Sequence, residues 1–287
     1  MRTRQKIVLS LLLRARIKPS QTQLMKWLFL LRQESLLRDD QTFYDFIPYR
    51  YGPFSFEAYR ELGILARSGL LYKSELVIAP EQLEKARQLE ATLPLQVRRA
   101  VQDILSRYEH LRTGVLLDIV YSRYPRYASR SETRLATEPT MNAPLAVYTI
   151  GYQAKTIDRF LDELLQNSIK TLVDIRSYAV SHKYGFSGSD LRRLTTGIGV
   201  RYLHFPELGI ESTMRKGIGT FVGVQELLDY YEREILPKQA QSVAQVSELL
   251  VKEASVLMCY EADVQCCHRG RLARRLATLT HLQLIHL

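Results

Sequence analysis

Cysteine is scarce in this chain, with three residues in 287. All three, Cys259, Cys266 and Cys267, fall within nine consecutive positions. They make no disulfide framework, so a reducing, cytoplasmic setting is expected. Long apolar runs are missing too. No stretch approaches the roughly 18–20 apolar residues that a membrane-spanning helix needs, and no membrane partner is expected. Internal repeats and low-complexity tracts are also absent. Basic residues precede an apolar stretch at the N-terminus, as in a signal peptide. Arg14 and Arg16 interrupt that stretch and no small-residue cleavage site follows, so an amphipathic helix is expected there.

Charge is unevenly placed. Residues 1–145 hold 23 Lys and Arg against 15 Asp and Glu, a net of +8; residues 146–287 hold 17 against 15, a net of +2. The basic excess belongs to the N-terminal half and favours an anionic partner there, most often nucleic acid. The plainer reading is a basic, soluble surface.

The length implies two domains. In the first, residues 5–16 read as a helix. Ser20 or Thr22 caps a second helix through Gln33, with Leu24, Leu28 and Leu31 on its apolar stripe. An aromatic segment ending in a Gly-Pro turn leads to a third helix, Ser55 to Arg67. Residues 70–79 read as a short hairpin. That order is the order of a winged helix-turn-helix. Helices at about 80–92, 94–111 and 113–122 follow, so the N-terminal domain, 1–128, is mainly α-helical and winged-helix-like. Residues 129–144 are polar and aperiodic, and are placed as a linker.

From residue 145 to 287 strands alternate with helices. Strands are expected at 146–150, 171–176, 200–205, 256–260 and 284–287, and helices at 156–167, 189–196, 223–235, 240–253 and 267–279. A glycine-rich loop spans 206–219. This is an α/β pattern: an open, mostly parallel sheet with helices on both faces.

Such sheets bind ligands outside the carboxyl ends of their strands. There the sequence gathers Gly151 and Tyr152 after the first strand, Asp174, Arg176 and Ser177 after the second, and His204 after the third. Glu261 follows the fourth, just before a helix starting at Cys267-His268-Arg269. Period two puts Asp174 beside Arg176 and Cys259 beside Glu261. A structural ion pair explains the first pair equally well, and Cys259 reads most simply as a small core residue.

A helix start offers free amides and a dipole that favour anions and lower a thiol's pKa. Three uses follow. The first is phosphate binding with Arg269 as a clamp. The second is Cys267 as nucleophile or redox thiol. The third is a zinc or other divalent metal held by Cys259, Glu261, Cys267 and His268. Spacing argues against the third, because adjacent residues in a helical turn point about 100° apart.

Two resemblances bear on these readings. The run Tyr49-Arg-Tyr-Gly-Pro-Phe-Ser55, with Tyr59, Leu62 and Gly69-Leu70, resembles the Y-x-Y-G-P box of the Panacea, or SocA-like, antitoxin domain. That resemblance implies a protein partner for the N-terminal domain. Tyr148-Thr-Ile-Gly-Tyr152, Leu172-Val-Asp-Ile-Arg-Ser177, Gly185-Phe186, Tyr202-x-His204-x-Pro-Glu-Leu-Gly209 and Cys259-x-Glu261-x5-Cys267-His268-Arg269 together resemble a bacterial family of domains of unknown function, number four-eight-eight. By that pattern the family cysteine is Cys267 and Cys266 is an extra. Tyr152 stands where the family usually has His. The resemblance implies a fold and a site but no reaction.

The leading expectation is a nucleic-acid-associated protein whose α/β domain binds, and hydrolyses, a phosphate-bearing substrate. Asp174, Glu261, Cys267 and His268 are the catalytic candidates. Gly151, Tyr152, Arg176, Ser177, His204 and Arg269 are the substrate contacts. The alternative is a non-enzymatic regulator or antitoxin-like adaptor that senses a nucleotide, a metal or redox state.

Overall fold

The computed structural model describes residues 1–72, 75–133, 143–215 and 220–287. The tip of the expected hairpin, most of the expected linker and the last residues of the glycine-rich loop lie outside the described residues. The chain divides into two compact units, Met1–Pro139 and Thr140–Leu287.

The first unit is rich in helices: α1 (Thr3–Arg14), α2 (Gln21–Glu34), α3 (Phe56–Arg67), α4 (Leu83–Ala91), α5 (Leu95–Tyr108) and α6 (Thr113–Arg123). Helix α2 starts with a capping box. The Gln23 amide donates to the Ser20 hydroxyl (3.1 Å), and the Ser20 amide donates to the Gln23 side chain (3.0 Å). Leu24, Leu28 and Leu31 are buried as their spacing predicts, and so are Lys26, Trp27, Phe29 and Leu30. Helix α2 is therefore enclosed all round and is the inner helix of this unit.

Between α2 and α3 runs an antiparallel ribbon, β1 (Ile47–Tyr49) and β2 (Gly52–Phe54). It holds the Y-x-Y-G-P box. The sequence pattern gave no warning of it, because each strand is three residues long and contains a proline, Pro48 or Pro53. After α3 the expected hairpin shows, among the described residues, one antiparallel bridge, Leu71 to Ile78.

Among its described residues the second unit holds five strands: β3 (Val147–Gly151), β4 (Thr171–Asp174), β5 (Arg201–His204), β6 (Ser255–Cys259) and β7 (Leu284–His286). Its helices are α7 (Ile157–Gln166), α8 (Gly188–Gly197), α9 (Phe221–Tyr230), α10 (Ala240–Lys252) and α11 (His268–Thr280). The sheet order is β5-β4-β6-β3-β7 and every pairing is parallel. Register brings the carboxyl ends level: Gly151 lies beside Cys259, and Asp174 beside both Met258 and His204.

One face of the sheet packs Val147, Val173 and Leu257 against α10 (Val243, Val246, Leu250) and α11 (Leu272, Leu276). The alternate residues Tyr148, Ile150, Leu172, Val256 and Met258 are buried as well, so both faces are covered. Strand β4 ends two residues before the sequence pattern suggests. The Asp174 carboxylate accepts the amide of Arg176 (3.1 Å) and turns the backbone out of the ladder.

Lys26 is 2% exposed. Its ammonium donates to the Pro53 carbonyl of β2 (2.8 Å). Burial pushes its pKa down from 10.5 to about 7. Between those values the unfolded chain binds a proton that the folded chain does not, so stability rises with pH across that window. The expected slope for the wild type is up to about 1.4 kcal/mol per pH unit, read from urea unfolding between about pH 7 and pH 10. Lys26→Met should flatten that slope and be the more stable protein at pH 7. Parallel pH profiles for the two would show that the ammonium is not desolvated.

Candidate functional site

Strands β4 and β6 are neighbours whose onward connections leave in opposite directions. One leads to β5 at one edge of the sheet, and the other leads to β7 at the far edge. Ligands of open parallel sheets bind outside the strand ends at such a reversal. A cavity of about 560 Å³ lies there, within the size range of small-molecule sites. Its walls include Tyr152 after β3, Arg176 and Ser177 after β4, Cys259 and Tyr260 at the end of β6, and His268 at the start of α11.

Asp174 organises this rim. It is wholly buried. One carboxylate oxygen accepts the amide and Nε of Arg176 (3.1 and 2.9 Å), and the other accepts Arg176 Nη2 (2.6 Å) and the Tyr202 hydroxyl (2.7 Å). Arg176 also donates from Nη1 to the Tyr152 hydroxyl (2.8 Å). Burial alone would lower the pKa of Arg176, but the hydrogen bonds and charge of Asp174 hold it above the usual range. Burial, and then the Asp174 charge, push the Tyr202 phenol up. Asp174 is thus spent on Arg176 and Tyr202, and its place is behind the cavity wall as a positioning group.

Tyr152 lies flat on Phe186, with ring centroids 4.3 Å apart and planes 10° from parallel. Tyr260 meets it edge-on at 5.3 Å. Gly185 permits this arrangement. Its φ is +86°, and a Cβ there would stand 2.6 Å from Ile157. The loop after β4 adds Tyr178, Ser181, His182 and Lys183 to the walls, and the loop after β5 adds Ile210 and Ser212. The Lys183 ammonium donates to the carbonyls of Tyr152 (2.9 Å) and Gln153 (2.7 Å). None of these loop residues was marked by periodicity. The one signal was nearness to the Gly185-Phe186 pair.

Behind the cavity floor, four of the expected residues meet. The thiols of Cys259 and Cys267 donate to the same Glu261 oxygen, Oε2, at 3.2 and 3.0 Å. His268 Nε2 sits 3.0 Å from the Ile175 carbonyl, and Nδ1 lies 3.7 Å from Cys259 Sγ. A carbonyl only accepts, so the ring carries its proton on Nε2, and the Cys259 sulfur lies beside the ring, 3.7 Å from Nδ1 and 4.0 Å from Nε2. Burial, followed by the neighbouring Cys259, pushes the Cys267 thiol well above its ordinary range, with His268 opposing the rise. The expected lowering at a helix start is therefore reversed, because enclosure and a second thiol outweigh the helix dipole.

Three expected ligand contacts serve the backbone instead. Arg269 donates to the carbonyls of Glu261 and Ala262 and is 2% exposed. It braces the turn between β6 and α11 and does not reach into the cavity as an anion clamp. His204 holds the Arg176 carbonyl through Nε2 (2.7 Å). Gly151 lies against the Glu261 carbonyl, which a Cβ would approach to 1.9 Å, so close approach explains this glycine. Ser177 lines the cavity and donates to the Ile210 carbonyl (2.9 Å). Cys266 stands apart, its thiol donating to Asp263 (3.6 Å).

Residues 156–276 match the family model described as "Domain of unknown function DUF488". The match runs from α7 into α11, contains the Cys259–Arg269 box and leaves β3 with Tyr152 outside it. No curated protein and no solved structure matches the chain.

Asp174→Asn should leave the buried Arg176 without its counter-charge and lower stability by about 3–5 kcal/mol. Tyr202→Phe, which removes one donor and keeps the ion pair, should cost about 1 kcal/mol. Chemical denaturation of both variants checks the ranking, and equal losses would show that the carboxylate is not the organising group.

Proposed function

We propose that this domain, completed by β3, binds a phosphate-bearing ligand of nucleotide size in the strand-end cavity. The observation that carries the reading is the placement of Arg176. Its guanidinium lines the cavity and is held in orientation by Asp174 and Tyr152. An oriented guanidinium is the group best suited to bidentate contact with phosphate oxygens. The Lys183 ammonium and the hydroxyls of Ser181 and Ser212 line the same walls. The exposed rings of Tyr178 and Tyr260 offer stacking surface for a base. We assign nucleic-acid affinity to the N-terminal half, on its net charge of +8 over residues 1–145.

Hydrolysis of the bound phosphate ester is the first reaction to test. Glu261 is the acid–base candidate, because its Oε2 already accepts a proton donor from each thiol. A second reading has a specific observation behind it. Two buried thiols and a buried imidazole in contact also suit a regulator that senses metal or redox state without turnover.

Titration of the full chain with ADP and with inorganic phosphate, followed by calorimetry, should show saturable binding. Lys183→Gln should weaken it about 10-fold. No binding of either probe would remove the phosphate reading. Glu261→Gln and Cys267→Ser then separate the two functions. An enzyme loses phosphate release while still binding ADP, and a regulator has altered binding and no turnover to lose.

For the N-terminal half, affinity for duplex DNA or single-stranded RNA should fall linearly in log–log form with salt, by about 10-fold or more between 50 and 200 mM. Salt-independent or absent binding to both would end that assignment.

A further inference from the structure

We infer that Cys259, Cys267 and His268 form a binding site for one thiophilic divalent cation, zinc above all, at the floor of the cavity. This inference is independent of the phosphate ligand. One ligand atom from each of the three residues lies within 4.8 Å of the others. In a tetrahedral zinc site with bonds of about 2.0–2.3 Å, neighbouring donor atoms stand roughly 3.5–3.8 Å apart. The Cys259 sulfur and His268 Nδ1 are 3.7 Å apart.

Three further observations favour a metal over a chance cluster. First, His268 Nε2 is anchored on the Ile175 carbonyl at 3.0 Å. Metal-binding histidines use such an outer contact to fix their tautomer and aim the other nitrogen. Second, Glu261 Oε2 accepts from both thiols, at 3.2 and 3.0 Å, so it holds the two sulfurs side by side from outside the three-residue cluster. Third, Cys259 and His268 also line the cavity, so the site has a route to solvent. The objection from spacing fails on backbone geometry. Cys267 is the N-cap of α11, with φ −131° and ψ 136°, and stands outside the helical turn that begins at His268. Adjacent ligands can then converge.

Binding involves no redox change. The two S–H bonds break, two sulfur–metal bonds form, His268 donates its Nδ1 lone pair, and two protons leave to solvent. Cys266, with its thiol on Asp263, takes no part.

The test uses tag-free full-length protein, stripped with chelator, reduced, and titrated with zinc chloride, cobalt chloride or magnesium chloride. The expected result is one zinc per chain by elemental analysis, with two protons released per metal. Two of the three thiols should become protected from a thiol reagent. Cobalt should give a thiolate charge-transfer band, and magnesium should not compete. Cys266→Ser should bind like the wild type. Cys267→Ser and His268→Ala should weaken zinc by more than the roughly 10–100-fold typical of an outer-shell change. Should those two variants fail to fold, the stoichiometry, thiol protection and cobalt spectrum of Cys266→Ser decide alone. The inference is overturned by zinc well below one equivalent in reduced wild type. A cobalt complex without thiolate character, or equal losses in Cys266→Ser and Cys267→Ser, would also overturn it.

Discussion

The buried carboxylate of Asp174 is the contact on which the C-terminal unit's functional face depends. A charge with no exposure is tolerable only when its oxygens are fully engaged. Here the amide, Nε and Nη2 of Arg176 and the hydroxyl of Tyr202 engage them. Those bonds end β4, tie it to β5 through Tyr202, and hand Arg176 on to Tyr152 at the end of β3. Three strand ends are fixed relative to one another by one side chain.

A second carboxylate does the complementary work one strand away. Glu261 gathers the sulfurs of Cys259 and Cys267, while its own carbonyl is closed over by Gly151 and gripped by Arg269. The two carboxylates divide the labour. Asp174 orients a cation toward the cavity, and Glu261 collects soft, ionisable donors beneath it. The polar rim and the thiol floor thus share the crevice that the strand order creates between β4 and β6.

Much of this was legible in the residues alone. Alternating apolar runs and helical spacing found all five strands of the second unit, because each central strand is apolar on both faces. Capping chemistry found the start of α2, where Ser20 rather than its alternative Thr22 is the cap. What stayed hidden had physical reasons. The β1–β2 ribbon is too short and proline-bearing to show a pattern. Lys26 reads as a polar residue but is enclosed by its helix's neighbours. Lys183, Tyr260 and Ser212 reach the cavity from loops or strand ends, where no period marks them. Arg269 and His204 stand near the strand ends as expected, yet their donors go to main-chain carbonyls, and a bond to backbone leaves no trace in a pattern of side chains. Cys267 was placed at the right helix start, but whether it lay inside or just outside the first turn decides which way its sulfur points.

Two consecutive peptide carbonyls, those of Ile175 and Arg176, each receive an imidazole, one from His268 and one from His204. The short piece of main chain from which the guanidinium projects is therefore clamped from both sides before anything arrives. A guest meeting that arginine finds it already stationary, so little motion is left to be frozen on association, and more of the contact energy remains as affinity.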